Sequence, residues 1–266
     1  MPDLRVVLAP NPGPMTGPGT NQYLVGDGRP LVIDVAPYDD ENARRFASAL
    51  AGERPDAILL THIHPDHVGG AIALREATAA PVAVHRRRAD FVHAGSPLRP
   101  DRLLDDGEEI ASARGRLRVV HTPGHESGHV CYLDPDRRWL FTGDLILGTG
   151  TTIVAPPDGD MVAYLASLRR LRELELDRIL PGHGPPIERP HEKIDEYIEH
   201  RLMRERQILA AVGTGVATVP EIVARLYADL HAGLHWAAGL TVRAHLRKLV
   251  DEGAVTEEDD RFRPAA

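Results

Sequence analysis

The feature that most constrains this chain is the stretch THIHPDHVGG, residues 61–70, which directly follows the apolar run DAILL. Three histidines and an aspartate lie within six consecutive residues, and such side chains are poorly suited to a core. In an extended segment, residues i and i+2 project to the same side, so His62 and His64 can face one metal ion. A proline then turns the chain, so that Asp66 and His67 can face a second ion. The stretch therefore predicts a metal-binding loop between a strand and a helix.

One loop supplies too few ligands for two ions, and the remaining ligands are predicted at the ends of other strands. His125 follows the strand-like run RLRVV and a Pro-Gly turn, Asp144 closes the run RWLFTGD, and His183 lies in ILPGHG. Imidazole and carboxylate ligands without a thiolate suit zinc and also admit manganese or iron. The sequence thus predicts two divalent metal ions, with zinc as the default.

Strand-like runs and amphipathic helices are interspersed along the first 190 residues. The strand-like runs include LRVVL, QYLVG, LVIDV, RLRVVH, HVCYLD and RWLFTGD. Apolar residues at helical spacing predict helices over 39–52 and 160–174. This mixture predicts an α/β protein whose strands form either two sheets or one long mixed sheet.

The composition changes after about residue 190. The segment 191–212 is predicted to be one long connecting helix, and a Gly-Thr-Gly break follows it. Beyond the break, the pattern predicts two helices, over 218–230 and 237–253, and a hairpin in AVTEEDDRFRP. Helix, helix and hairpin form the outline of a winged helix. The predicted domains are therefore a large α/β domain over 1–212, which carries the predicted metal site and includes the connecting helix, and a small winged-helix-like domain over 213–266.

Bulk composition limits the classes of protein that this chain can belong to. The chain has 266 residues, of which 42% are hydrophobic and 26% charged, and this predicts a globular protein. The net charge of −8 argues against a protein that coats nucleic acid or a membrane surface, although a local basic groove stays compatible with it. A single cysteine, Cys131, suits a reducing compartment. With no signal-peptide pattern and no long apolar run, we expect a cytoplasmic protein without membrane partners. The sequence does not predict its oligomeric state.

Four motifs together resemble the metallo-β-lactamase superfamily: THIHPDHVGG, HTPGH, FTGD and PGHG, in this order. The resemblance covers about the first 190 residues and implies an αββα sandwich with a dinuclear metal site at one edge. Three further segments are similar to the β-lactamase-like protein 2 group, which carries a C-terminal winged helix. These segments are NPGPMTGPGTNQYLVG, GDLILGTGTTIV and HRLMRERQIL.

The resemblance assigns each predicted ligand to a metal ion. It implies that one ion is bound by His62, His64 and His125, that the other is bound by Asp66, His67 and His183, and that Asp144 bridges the two. Two such ions lower the pKa of a bound water and polarise the bond that is cut. The implied function is therefore hydrolysis by a metal-activated hydroxide, with Asp66 as the catalytic residue that also orients it. Asp34, at the end of LVID, is predicted either to hold a ligand histidine in its tautomer or to be a strand-terminal turn residue.

Three functions remain open from the sequence. The resemblance to β-lactamase-like protein 2 implies an endoribonuclease that cuts single-stranded RNA. A thioesterase like hydroxyacylglutathione hydrolase, acting on a small ester or thioester, shares the metal motif. An iron-dependent persulfide dioxygenase belongs to another class and reuses a similar ligand set. Antibiotic hydrolysis is disfavoured, because zinc β-lactamases are secreted and commonly carry a cysteine where Asp144 stands.

The RNA hypothesis requires groups that contact phosphates. The predicted substrate contacts are Thr151, Arg201, Arg204, Arg243 and Arg247. Against this hypothesis, the tail from Gly213 onward carries six Arg/Lys and eight Asp/Glu residues. A phosphate-binding surface is expected to be basic. The alternative role of the predicted winged helix is to form dimer contacts or to wall the active site.

Overall fold

The strand-like runs form two β-sheets in the computed structural model of the protein, which describes residues 4–37, 39–89, 99–112, 115–215 and 218–265. The first sheet has six strands that lie side by side in chain order. They are β1 Leu4–Leu8, β2 Asn21–Val25, β3 Leu31–Ile33, β4 Ala57–Leu59, β5 Val82–His85 and β6 Arg102–Leu104. The pairings up to β3 are antiparallel, and those from β3 to β6 are parallel. Of the two predicted arrangements, separate sheets are the one observed.

The second sheet has five strands and is mainly antiparallel. Its strands are β7 Glu109–Ser112, β8 Gly115–His121, β9 Val130–Asp134, β10 Trp139–Gly143 and β11 Arg178–Pro181. The spatial order is β11-β10-β9-β8-β7, and only the pair β10 and β11 is parallel. The sequence analysis did not identify β6 or β7, because both are short and carry charged residues.

Two hydrophobic cores cover the two faces of the first sheet. Successive side chains of a strand point to opposite faces. Tyr23 therefore belongs to the core shared with the second sheet, where it meets Phe141. Its neighbour Leu24 belongs to the core on the outer face, together with Phe46 of helix α1 (Asp40–Leu50) and Leu74 of helix α3 (Ala71–Thr78). Helix, sheet and sheet thus form successive layers.

The strands end where the predicted ligands begin. The chain leaves β3 at Asp34, and after β4 it enters the loop that leads into the short helix α2 (Pro65–Val68). It leaves β10 at Asp144 and reaches His183 just after β11. The strand pairs β3 and β4, and β10 and β11, are each parallel, so each pair presents its carboxyl ends at one edge.

The C-terminal region is built from helices and a hairpin. These elements are α4 Met161–Arg172, α5 Pro190–Val212, α6 Val219–Leu226, α7 His235–Asp251, β12 Val255–Glu258 and β13 Arg261–Pro264. Thr218 and Glu221 form a capping box that starts α6, as the N-cap preference of threonine predicts. A separate core joins α5, α6, α7 and the hairpin, and it includes Ile208, Ile222 and Phe262. The predicted helix over 218–230 ends earlier, at Leu226.

The chain divides into two compact units, which do not coincide with the predicted domains. The first unit comprises Met1–Thr122, Gly128–Gly150 and Glu175–Pro190, and the second comprises Pro123–Ser127, Thr151–Leu174 and His191–Ala266. The second unit therefore includes α4 and the segment before it as well as the winged helix. One reason is that the backbone before α4 forms hydrogen bonds with side chains of the C-terminal helices. The N–H of Val154 donates to the hydroxyl of Thr241, and the carbonyl oxygen of Thr152 accepts from Arg201. Among the described residues, no helix combines the length and the apolar character needed to cross a membrane.

Candidate metal centre

Four side chains of the first unit converge at the strand ends. They are Asp66, His67, Asp144 and His183. The Nε2 atom of His67 lies 3.2 Å from Asp144 Oδ1, 3.6 Å from Asp66 Oδ2 and 3.2 Å from His183 Nε2. The Nε2 atom of His183 lies 3.1 Å from Asp66 Oδ2 and 3.3 Å from Asp144 Oδ1. Residues far apart in sequence thus place four ligand atoms within a few ångströms of one another.

These distances fit a tetrahedral metal ion. Nitrogen and oxygen ligands bind zinc at about 2.0–2.2 Å, so ligand atoms at tetrahedral angles lie about 3.3–3.6 Å apart. The five measured separations, from 3.1 to 3.6 Å, lie close to that range. Two imidazoles and two carboxylates also suit divalent manganese or iron. The residues present therefore fit a divalent metal ion.

The hydrogen bonds of the two histidines explain why a cation belongs between them. Nδ1 of His67 donates to Asp34 Oδ2 at 2.8 Å, and Nδ1 of His183 donates to the carbonyl oxygen of Gly19 at 3.3 Å. In a neutral imidazole that donates through Nδ1, Nε2 carries a lone pair. Two such lone pairs at 3.2 Å repel each other unless a positive charge lies between them. That charge is either a metal ion or protons.

Protons are what the site binds in the absence of a metal ion. Burial alone lowers the pKa of His183, but the Asp144 carboxylate outweighs it and the pKa rises to about 9. Burial also lowers the pKa of His67, but the carboxylates of Asp144 and Asp34 outweigh it and raise that pKa well above its usual value. Burial raises the pKa of Asp144, but the two histidines outweigh it and hold that pKa well below its usual range. The carboxylates therefore stay ionised and available as ligands.

The loop after β4 is held in place by Asp34. Its Oδ1 accepts from the backbone N–H of Thr61 at 2.8 Å, and its Oδ2 accepts from the Thr61 hydroxyl at 2.8 Å. Since that hydroxyl donates to Asp34, it accepts from Nδ1 of His62 at 3.0 Å. Asp34 thus contacts His67 directly and His62 through Thr61. Its predicted role in setting a tautomer remains a prediction, and these contacts are what that role requires.

Local sequence explains the shape of this loop. His64 is extended, with φ −63° and ψ 146°, and the residue before a proline favours this conformation. Pro65 then occupies the first position of α2, where its missing N–H removes no helical hydrogen bond. The turn carries Asp66 and His67 into the four-residue cluster. His62 and His64 lie before the turn, with ring centroids 4.8 Å apart.

Glycines allow the close packing around the cluster. A Cβ atom on Gly182 would lie 2.7 Å from His67 Cε1 and 2.9 Å from Asp144 Oδ1. A Cβ atom on Gly143, whose φ is +45°, would lie 2.4 Å from the Thr61 hydroxyl oxygen. Both glycines flank the ligands in the FTGD and PGHG motifs, so their lack of a side chain leaves room for the imidazole and the carboxylate.

Two further residues beside the predicted ligands were not predicted from the sequence. Asn21, on β2, donates to the carbonyl oxygens of Pro181 at 3.0 Å and of Gly184 at 2.8 Å, and so braces the His183 loop. His129 is fully buried, and its ring centroid lies 5.3 Å from that of His62. Asn21 lies in the segment TNQYLVG, whose resemblance to a known group was the one signal that pointed to it.

His125 lies in the second unit, in the short segment Pro123–Ser127. It is buried, and its Nδ1 donates to the carbonyl oxygen of Ile153 at 2.6 Å. A neutral imidazole in this tautomer keeps Nε2 for a metal ion. Its predicted role, as a ligand of the ion that His62 and His64 bind, stays a prediction.

The predicted RNA contacts differ in their surroundings. Arg201 is only 2% exposed, which does not favour its predicted contact with RNA, and that contact stays a prediction. Arg204 is partly buried, and its guanidinium stacks on Tyr227 at 4.5 Å. Arg243 pairs with Glu257 and Asp260 in the C-terminal hairpin region. Thr151 and Arg247 are exposed, and their predicted contact with a substrate stays a prediction.

Comparison with known families agrees with this architecture. The model of the metallo-beta-lactamase superfamily matches residues 15–183, and the model of the beta-lactamase associated winged helix domain matches residues 218–263. The fold and the site thus define a hydrolase fold with a metal-binding cluster at its strand ends. The chain belongs to the metallo-β-lactamase superfamily and carries a C-terminal winged-helix domain, so the predicted fold class is confirmed.

Several relatives are similar to this chain over most of its length. The beta-lactamase-like protein 2 homolog of Caenorhabditis elegans is 35% identical over 94% of this chain and 84% of its own length. The homolog of the same name in Drosophila melanogaster is 36% identical over 93% of this chain and 87% of its own length. The atrochrysone carboxyl ACP thioesterase of Aspergillus fumigatus is 32% identical over 85% of this chain and 74% of its own length. The predicted resemblance to the β-lactamase-like protein 2 group is therefore confirmed.

Solved structures show the same fold. The metallo-beta-lactamase family protein TTHA1429 from Thermus thermophilus superposes with a TM-score of 0.85 and 26% identity, covering 99% of each chain. The protein TTHA1623, solved in a di-iron-bound form, superposes with a TM-score of 0.57 and 33% identity, covering 71% of this chain and 96% of its own.

Proposed function

We propose that this protein is a dinuclear metal-dependent hydrolase that cuts the acyl bond of a thioester or ester. The observation that carries the hydrolase proposal is the cluster of Asp66, His67, Asp144 and His183, whose spacing suits one tetrahedral ion. For the second ion the proposal keeps the ligands that the family resemblance implies, His62, His64 and His125. The di-iron form of TTHA1623 supports a pair of ions in a related protein.

The metal ions would supply Lewis acidity, which polarises the scissile carbonyl and lowers the pKa of a water molecule. Asp66 is proposed to orient the attacking water, because its side chain is 27% exposed and that of Asp144 only 14%. Burial raises the pKa of Asp66, but its bond to His183 and the charge of His67 outweigh burial and lower it. Asp66 is therefore an ionised hydrogen-bond acceptor at neutral pH.

A covalent mechanism through cysteine has no support. Cys131 is fully buried as the second residue of β9, and its Sγ lies 3.3 Å from the hydroxyl of Thr122. A buried thiol in an apolar strand behaves as a small hydrophobic residue. The nucleophile of the proposed reaction is therefore water.

The charge distribution of the second unit favours an acyl substrate over RNA. Arg243 is paired with Glu257 and Asp260, and Lys248 is paired with Glu205 and Glu252. Cations that are already paired with carboxylates contribute little to phosphate binding. The Aspergillus fumigatus relative is named a carboxyl ACP thioesterase, which supports the same substrate class.

Cleavage of single-stranded RNA is the second candidate function. It is favoured by the similarity to β-lactamase-like protein 2 homologs, which extends over 94% and 93% of the chain. Among the arginines predicted to contact RNA, Arg247 on α7 is the exposed one and is best placed to meet a phosphate. The persulfide dioxygenase hypothesis has less support, since one iron ion would leave half of the ligand set unused.

The test is a substrate panel with protein loaded with zinc or manganese. We expect hydrolysis of acylated glutathione or an acyl-carrier thioester that stops on chelation and returns with metal. Asp144→Ala should abolish this activity, whereas Asp177→Ala, at an exposed ion pair with Arg138, should not change it. Cleavage of single-stranded RNA with no turnover of any ester or thioester would replace this proposal by the second candidate. In that case Arg243→Gln and Arg247→Gln should raise the KM for RNA.

A further inference from the structure

A buried arginine, Arg201, lies in the connecting helix α5, outside the motifs that carry the predicted metal ligands. Arg201 is 2% exposed and is the largest of the fully buried side chains. Its Nη2 donates to the carbonyl oxygen of Thr152 at 2.6 Å, and its guanidinium lies 5.1 Å from the ring centroid of Tyr164. Burying a guanidinium is unfavourable unless its contacts offset the loss of water. Helix α5 also lies between the two family matches, at residues 15–183 and 218–263.

The residue that Arg201 holds is in turn a partner of His125. The hydroxyl of Thr152 lies 3.3 Å from Nδ1 of His125, and the next carbonyl along the chain, that of Ile153, accepts from the same Nδ1 at 2.6 Å. A carbonyl oxygen can only accept, so this bond requires the proton of His125 to be on Nδ1. The segment 152–153 therefore selects the tautomer in which Nε2 can bind a metal ion.

The aromatic partner of Arg201 contacts the other side of the same loop. Gly124 precedes His125, and a Cβ atom on it would lie 2.3 Å from Cα of Tyr164, so the two backbones are in close contact. The backbone N–H of Asp160, just before α4, donates to the carbonyl oxygen of Gly124 at 2.9 Å. Arg201 thus contacts both elements that confine His125, and all of these residues belong to the second unit.

We infer that Arg201 is a positioning residue for the metal site: it fixes the segment 152–153 and Tyr164, and through them the tautomer and place of His125. The inference rests on the proposed role of His125 as a ligand and does not depend on the substrate. It assigns to the connecting helix a part in metal binding, in place of the RNA contact expected from the sequence.

The experiment compares Arg201→Met with Arg204→Met. Arg204 lies three residues further along α5, stacks on Tyr227 at 4.5 Å and donates to the carbonyl oxygen of Leu226 at 3.2 Å. It is a matched control, because it makes the same kinds of contact away from His125. The readouts are zinc affinity, measured by competition with a chelator, and the His125 tautomer, measured by ¹⁵N NMR of the imidazole nitrogens in the metal-free protein.

For Arg201→Met we expect zinc affinity to fall about 10- to 100-fold and the Nδ1–H form of His125 to lose its dominance. Arg204→Met should leave both unchanged, whatever its effect on Tm. Unchanged affinity and tautomer in Arg201→Met, or equal losses in both variants, would overturn the inference. If Arg201→Met does not fold, Arg201→Lys and Thr152→Val serve instead. Each of these variants should weaken zinc binding, but by less than His125→Ala does. If neither variant weakens zinc binding, the inference is also overturned.

His125→Ala separates this inference from the proposed function. If His125→Ala loses zinc while Arg201→Met retains it with full affinity, only the role of Arg201 fails. If His125→Ala binds zinc as tightly as the unmodified protein, the ligand assignment fails and the inference fails with it.

Discussion

Nδ1 of His67 lies 2.8 Å from Oδ2 of Asp34, and both side chains are almost completely buried. The two residues are 33 positions apart and follow neighbouring parallel strands, β3 and β4. A carboxylate that accepts from one nitrogen of an imidazole leaves the other nitrogen for a metal ion and makes it more basic. This contact therefore links the ends of two strands to the chemistry of the cluster.

Asp34→Asn should weaken metal binding while leaving the fold intact. Asp34 has φ +59°, a conformation that asparagine tolerates better than most residues, so the backbone should be preserved. An amide accepts on only one of its two terminal atoms and carries no charge. It therefore cannot serve both His67 and Thr61 as the carboxylate does. We expect zinc affinity to fall about 10- to 100-fold. Asp56→Asn, at an ion pair with the exposed Arg29, is the control and should bind zinc normally. Equal affinity in the two variants would contradict the prediction.

Gly182→Ala should disrupt the cluster through steric conflict alone. The added methyl group would lie 2.7 Å from His67 and 2.9 Å from Asp144, too close for either ligand to keep its position. We expect loss of metal from the variant, measured as metal ions per chain by elemental analysis. Gly239→Ala, in helix α7, provides the comparison, since its nearest neighbour would be at 3.5 Å. That variant should retain its metal and gain up to about 1 kcal/mol in stability from helix propensity. Retention of a full metal complement by Gly182→Ala would show that the loop can shift.

Metal binding should release protons at neutral pH. In the metal-free protein the pKa of His183 is raised to about 9, chiefly because Asp144 outweighs the effect of burial, so His183 is protonated at pH 7. A metal ion requires the neutral imidazole and must displace that proton. Apparent affinity should therefore rise as pH rises from 7 toward 9. Calorimetry at pH 7 in buffers of different ionisation enthalpy measures the protons released. Heats that do not depend on the buffer would show that the metal-free site is already deprotonated.

Cys131→Ala should leave turnover nearly unchanged. The thiol is buried in β9 beside the Thr122 hydroxyl, and the proposed reaction does not use it. The change removes one buried atom, so a stability loss of about 1 kcal/mol is expected, visible as a lower Tm. Activity per folded molecule, after correction for the folded fraction, is the quantity to compare. A large loss of that activity would point to a covalent mechanism.

Much of the site follows from local patterns that a single sequence displays. Four of the predicted ligands lie within six consecutive residues: His62, His64, Asp66 and His67. The other predicted ligands each follow a strand-like run and a tight turn. Thr218 and Glu221 likewise determine the start of α6 through a capping box that spans four residues. Strands β6 and β7 were missed because they are short and their burial pattern depends on the sheet that they join.

Contacts between distant segments decided what the sequence did not show. Arg201 looks like a surface cation in its helix, yet it is buried because its partners, Thr152 and Tyr164, lie 49 and 37 positions earlier. Asn21 braces the loop that carries His183 by donating to the carbonyl oxygen of Pro181, which lies 160 positions further along the chain. The types of the ligands and their order along the chain were determined by the sequence alone, since each ligand lies in a local motif. Which polar side chains brace those ligands was decided only by the tertiary structure, because burial and hydrogen bonding depend on the segments that fold against a residue and not on its neighbours in the chain.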